Sequence, residues 1–117
     1  MAGKVANVPH KVTPPAAANA ALALDPVIHE RARLAILTAL GSQGELTFTE
    51  LRDLIGATDG NLATHAAKLE AAGFISSGKG VLGRRVKTTY GITVLGQKRL
   101  LEYLEALEKL MGEVRGG

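Results

Sequence analysis

Apolar residues recur at helical spacing through most of the chain and switch to alternation over one short stretch. Between Thr47 and Phe74 the order is TFTELRDLIGATDGNLATHAAKLEAAGF. Leu51, Leu54 and Ile55 fall at helical spacing, and Gly56 then breaks the pattern, because glycine tolerates the left-handed conformation that ends a helix. Leu62, Ala66, Leu69 and Ala72 line one side of a second run. Asn61, Thr64, His65 and Lys68 line the opposite side, all with hydrogen-bonding tips. Two helices around a short turn containing glycine are the signature of a helix-turn-helix.

Residues 1–20 are rich in Ala and Pro without sustained periodicity and read as a flexible arm, with room for a short helix after Pro15. Asp25-Pro26 predicts the start of the first firm helix: Asp accepts the free N–H groups, and Pro at the first helical position wastes no donor. Leu34, Leu37 and Leu40 mark its core stripe and Gly41 its stop. His29 has no second ligand at metal spacing and reads as a surface or capping group. After the turn cluster Gly41 to Gly44, Leu46-Thr47-Phe48 predicts one rung of a small sheet. Thr47 and Glu50 have capping-box spacing, with Leu46 and Leu51 as the staple around it. Thr58 is the expected cap of the next helix, with Asp59 in its first turn.

Phe74 to Ser77 begins a strand, and Val86, Thr88, Tyr90 and Ile92 alternate in period two on its return. The two strands make a hairpin with a Gly-bearing, basic tip. Thr93 is the expected N-cap of a last helix to about Met111. There Leu100, Leu104, Leu107, Met111 and Val114 recur at spacings of four, three, four and three, a heptad seam. Tyr103, Ala106 and Leu110 widen that apolar face beyond what one small domain buries. Leu100, Leu104, Leu107 and Met111 are therefore the expected interface of a symmetric dimer.

A length of 117 residues supports one domain, expected over 21–111, with the arm before it and a short tail over 112–117. Aromatics at 3% leave the core to Leu, Ile, Val and Ala, and the absence of Cys removes disulfides and thiolate metal sites. The Ala-x-Ala pattern near residue 20 follows prolines instead of an apolar stretch, which argues against a signal peptide. No apolar run reaches the roughly 20 residues of a spanning helix, so a cytoplasmic protein without a membrane partner is expected. No paired carboxylates, reactive thiol or Ser/His/Asp set stands in an activating context, so no enzyme and no cofactor are expected. Charge adds more. No acidic residue stands between Glu70 and Glu102, while Lys79, Arg84, Arg85, Lys87, Lys98 and Arg99 all do, against a chain net of only +3. A basic zone beside a helix-turn-helix is the footprint expected of a nucleic-acid partner.

The order helix, short strand, helix, helix, hairpin, helix resembles the winged-helix regulators of the MarR and ArsR type. The resemblance rests on Arg31-x-x-Leu34-x-Ile36-Leu37-x-x-Leu40, LTFTELRDLIG from Leu46, TDGNLATHAAKLEAAGFI from Thr58 and YGITVLGQKRLLEYL from Tyr90. It covers roughly Leu24 to Met111. It implies a mainly α protein with a small β-sheet, a winged helix-turn-helix with a long C-terminal helix. It also implies a transcription factor, usually a homodimer and often a repressor, acting on double-stranded DNA. The helix bearing Asn61, Thr64, His65 and Lys68 would be the recognition helix, and the tip around Arg84 and Arg85 the wing, with Lys79 and Lys87 on phosphates. ArsR-type metal sensors use Cys or His clusters that are missing here, so metal sensing does not carry over. The larger MarR proteins form a ligand cleft from longer helices, and the shortness of this chain counts against a small-molecule effector. A winged helix used only for protein–protein contact is the competing expectation, and the uninterrupted basic zone argues against it.

Overall fold

The computed structural model describes residues 16–116. In chain order these form α1 (Ala16–Leu22), α2 (Arg31–Gln43), β1 (Leu46–Thr47), α3 (Phe48–Ile55), α4 (Asp59–Ala71), β2 (Ile75–Leu82), β3 (Arg85–Ile92) and α5 (Val94–Val114). The architecture is the expected winged helix: mostly helical, with one antiparallel sheet in the order β1-β3-β2. Most of the predicted arm lies outside the described residues. Its last part, from Ala16, is helical and lies along α5.

Local chemistry sets most element boundaries. The capping box at the head of α3 is complete: Glu50 N–H donates to Thr47 Oγ1 at 3.1 Å, and Thr47 N–H donates to Glu50 Oε1 at 2.9 Å. Gly56 ends that helix in the left-handed region at φ 69°. Thr58 then caps α4 by accepting from Asn61 N–H at 3.2 Å. Arg52 bridges the turn to Asp59 at 2.9 Å and also pairs with its neighbour Asp53 within α3 at 3.0 Å; so exposed a bridge aligns the two helices more than it stabilises them.

The first firm helix departs from expectation at both ends. Asp25 does cap, but it caps a turn: its carboxylate accepts Val27 N–H at 2.9 Å and its carbonyl accepts His29 N–H at 2.8 Å. Ile28 drives into the core with no exposed surface, Glu30 turns extended, and α2 starts only at Arg31. The helix also runs through Gly41 and stops at Gly44, whose φ of 85° is a backbone conformation that favours glycine. His29 stays at the surface, as expected, with its Nδ1 2.7 Å from the Tyr103 hydroxyl of α5.

The core is aliphatic, as the composition requires: Ile36, Leu37 and Leu40 of α2 meet Leu51, Leu62 and Leu69 from the next two helices, all at most 1% exposed. Ile75, Tyr90 and Ile92 close it from the base of the hairpin. Helix α5 joins through a tight junction with the turn after α4. There the Thr93 hydroxyl donates to the Gly73 carbonyl at 2.6 Å and accepts from Gly96 N–H at 3.0 Å. Thr93 N–H donates to the Phe74 carbonyl at 3.0 Å. A Cβ on Gly96 would overlap that same carbonyl, so α5 crosses at a distance only glycine permits.

That crossing splits the predicted heptad seam. Leu100 is buried in the chain's own core and Leu107 packs against it, so Leu100 is not free to form an interface. Tyr103, not Leu104, fills the next inward position; Leu104 and Met111 stay 40% and 47% exposed. The helix continues to Val114, three residues beyond the predicted end. No helix among the described residues is long and apolar enough to cross a membrane.

Replacing Gly96 by Ala is expected to lower unfolding free energy by about 1–3 kcal/mol, the usual cost of overpacking. Gly112→Ala, where an added Cβ meets nothing within 4 Å, is expected to gain up to about 1 kcal/mol from helix propensity. Urea denaturation of the two variants checks the contrast; equal stability would mean that the crossing is loose.

Candidate nucleic-acid interface

Helix α4 turns Leu62, Ala66 and Leu69 inward, which sends the opposite arc to the surface. Gly60, Thr64, Ala67 and Ala71 occupy that arc, all exposed, with Asn61 and Lys68 exposed on one flank. The Asn61 backbone N–H is spent on the cap while its side chain stays at the surface. Of the four polar residues assigned to this face, the structure brings together Asn61, Thr64 and Lys68.

His65 sits apart from them. Its ring is half-buried at the seam with α2, where Arg33 Nη1 lies 3.2 Å from Nδ1 and Glu30 Oε1 lies 3.6 Å away. Arg33 has donors only, so the Nδ1 of a neutral His65 accepts and Nε2 carries the proton. The same guanidinium donates to the Val27 carbonyl at 2.6 Å and the Pro26 carbonyl at 3.4 Å. Arg33 thus braces the turn before α2 and the middle of α4 together. Burial alone would raise the Glu30 carboxyl, but the hydrogen bond from Arg33 N–H and the nearby Arg33 guanidinium charge hold it below the usual range. Nothing local in the sequence signals this brace, because its partners stand 32 positions apart.

The hairpin reaches its tip through Leu82↔Arg85 as the last pair, leaving Gly83 and Arg84 as the two turn residues. Gly83 has φ 65° and Arg84 does not enter positive φ, the pattern of a hairpin turn with glycine first. Arg84 therefore stands at the extreme end. Lys79 pairs with Thr88, Lys87 with Gly80, and Arg85 with Leu82. Strand alternation puts Lys79 on one face of the hairpin and Arg85 and Lys87 on the other. Lys79, Arg84 and Arg85 are exposed and Lys87 half-buried. Among the described residues none of the four is in an ion pair. Lys87 comes near enough to Glu50 to contribute, after the Thr47 hydrogen bonds, to that carboxyl's lowered pKa. Ser77, another polar residue of the hairpin, donates to Glu70 at 2.8 Å and so ties β2 to α4.

Two large apolar side chains of the hairpin stand exposed: Val81 and Val86. Period-two alternation places Val86 on the inward face, but it does not show how far along the strand the core extends. Among the described residues no group of three or more His, Cys, Asp or Glu side chains is placed to hold a metal ion. The chemistry on offer is hydrogen-bond donation and positive charge, suited to phosphates and base edges.

Residues 32–111 match the model of a family described as a winged helix DNA-binding domain. An uncharacterised protein of Methanocaldococcus jannaschii is 36% identical over 78 residues, 67% of this chain and 85% of that one. A transcriptional regulator homologue from Pyrococcus horikoshii superposes with a TM-score of 0.71 at 25% identity, over 75% of this chain and 87% of the other. A MarR family transcriptional regulator from Silicibacter pomeroyi shares the fold with a TM-score of 0.63 at 22% identity, over 86% and 66% of the two chains.

The Glu30 cap has a pH signature. Its folded pKa is held below the ordinary carboxylate value, so its contribution is complete above the unfolded pKa and is lost as pH falls through the lower, folded one. Glu30→Gln is expected to lose about 0.5–1 kcal/mol near neutrality through the weakened cap. Its deficit against the parent is expected to shrink below about pH 4. Thermal unfolding from pH 3 to 7 reads the difference, and a deficit independent of pH would remove the charge from this account.

Proposed function

The chain belongs to the winged helix DNA-binding domain family, and from that premise we propose that it is a sequence-specific transcriptional regulator of double-stranded DNA. The observation that carries the proposal is the pairing of an exposed polar face on α4 with an acid-free hairpin bearing four cations without ion-pair partners among the described residues. A hairpin tip needs no guanidinium for its own stability, and two stand there in succession.

In this reading α4 lies in the major groove. Asn61 pairs with an adenine edge, donating and accepting at once, and Lys68 reaches a guanine edge or a phosphate. Thr64 contributes its hydroxyl or its methyl to a base edge. The small residues of the same arc, Gly60 and Ala67, allow close approach. Arg84 enters the adjacent minor groove, while Lys79, Arg85 and Lys87 neutralise phosphates. His65, held by Arg33, contributes as a phosphate donor from the α2 seam instead of reading bases.

The protein acts as a homodimer. Leu104 and Met111, joined by Leu101 and Val114, form an apolar strip on α5 that the chain's own core leaves 40–86% exposed. A twofold contact through that strip would make the operator a palindrome, with half-sites about one helical turn apart. Repression by occlusion is the mode of action that requires no further surface.

Fluorescence anisotropy with a labelled duplex, repeated across a salt series, tests the proposal. Arg84→Ala and Arg85→Ala are each expected to flatten the log–log salt slope by about 0.9 and to weaken binding to every sequence. Asn61→Ala and Lys68→Ala are expected to cost about 1–3 kcal/mol on a preferred site and to narrow its advantage over others. Binding that ignores salt would overturn the reading. Light scattering at micromolar concentration is expected to give a dimer mass for the parent and a monomer for Leu104→Glu/Met111→Glu; a monomeric parent would remove the twofold model.

A further inference from the structure

Val81 and Val86 are 73% and 68% exposed, and they face each other across the hairpin, one rung from its last pair. Alternation puts both on the face that carries Ile75, Tyr90 and Ile92 at the base. That face is covered by the helical layer only near the base, where Tyr90 is 7% exposed. Val86 lies four residues further out, about 13 Å along the strand, beyond the reach of the core. The pair is therefore an apolar surface projecting past the domain, on the side of the sheet where the helices, α4 included, are packed.

Charge identifies what fits there. Lys79 shares the face of the pair, Arg84 stands in the turn beyond it, Arg85 and Lys87 lie on the opposite face, and no acidic residue is present from Ala71 to Leu101. An occupant must offer apolar surface within a few ångströms of dense negative charge. The wall of a DNA minor groove does: the carbon faces of its deoxyriboses line a cleft about 6 Å wide, with phosphates along the rim. We propose that Val81 and Val86 pack against the deoxyribose wall of the minor groove beside Arg84, so that the wing contributes an apolar, salt-independent part of the affinity. The inference rests on the reading that this protein binds duplex DNA, and it adds a contact type to that surface. The arginines supply the counterion-dependent part, and the valines hold the tip flat on the sugars.

The test is Val81→Thr/Val86→Thr, which keeps β-branching and charge while replacing one methyl of each residue by a hydroxyl. Both positions are exposed, so folding is not at stake, and circular dichroism confirms it. The full chain is titrated against a labelled A·T-rich duplex at several salt concentrations. Affinity is expected to fall about tenfold at every salt concentration, with the slope of the parent, whereas Val81→Ile/Val86→Ile keeps parental affinity. An unchanged affinity in the threonine variant, with the parent binding normally, would overturn this inference alone. A change in slope would overturn it too, because the valines would then act through the charges. So would loss of self-association with DNA affinity per protomer unchanged, which would assign the pair to a second copy of the chain. A parent that fails to bind the duplex would overturn this inference together with the proposed function.

Discussion

Gly96 lies against the Phe74 carbonyl with no room for a side chain, and Thr93 closes the same contact with hydrogen bonds to Gly73, Phe74 and Gly96. Three elements meet there: the end of α4, the start of β2 and the start of α5. The distance between α4 and the long terminal helix is set by backbone against backbone, which yields far less than side-chain packing does. Once that crossing is set, the rotation of α5 follows. Leu100 and Tyr103 turn inward, and Leu104 and Met111 turn out.

The same junction places the hairpin. β2 leaves directly from Phe74, so the wing and α4 share one rigid root, with Ser77 and Glu70 adding a second tie. Two contact elements with a fixed mutual position are what a duplex demands, since its grooves are spaced by its own geometry. On the other side, Arg33 braces the middle of α4 through His65 and holds the turn before α2. The polar face of α4 is thus supported at its end and along its flank, while Asn61, Thr64 and Lys68 remain exposed. Preorganisation of this kind lowers the entropy lost on binding.

What the sequence revealed was governed by distance along the chain. Thr47, Thr58 and Thr93 cap their helices through partners three residues away, and each was legible. The basic tip was legible for the same reason, whereas the rung at Leu46, whose partner Tyr90 is far along the chain, was legible only from its local pattern. Asp25-Pro26 misled because it carries a sound local signal, yet Ile28 and Glu30 answer to contacts elsewhere and delay the helix to Arg31. Gly41 misled as a stop because Gly44, three residues beyond, takes the positive φ that ends the helix. Leu100 was assigned outward because a heptad defines a stripe but not its azimuth, which the glycine contact sets. His65 fell on the polar arc by spacing, and only its Arg33 partner moves it to the seam. Alternation told which face Val86 occupies, not where the core beneath that face ends.

The central claim is that α4 and the wing of one protomer form half of a twofold reader of DNA. Selection from a pool of random duplexes tests it most directly, because the enriched sequences report specificity and symmetry together. The enriched sequence is expected to be an inverted repeat whose half-sites lie about 10 base pairs apart, centre to centre. A pool with no enriched sequence, or one enriched only for a single asymmetric half-site, would contradict it.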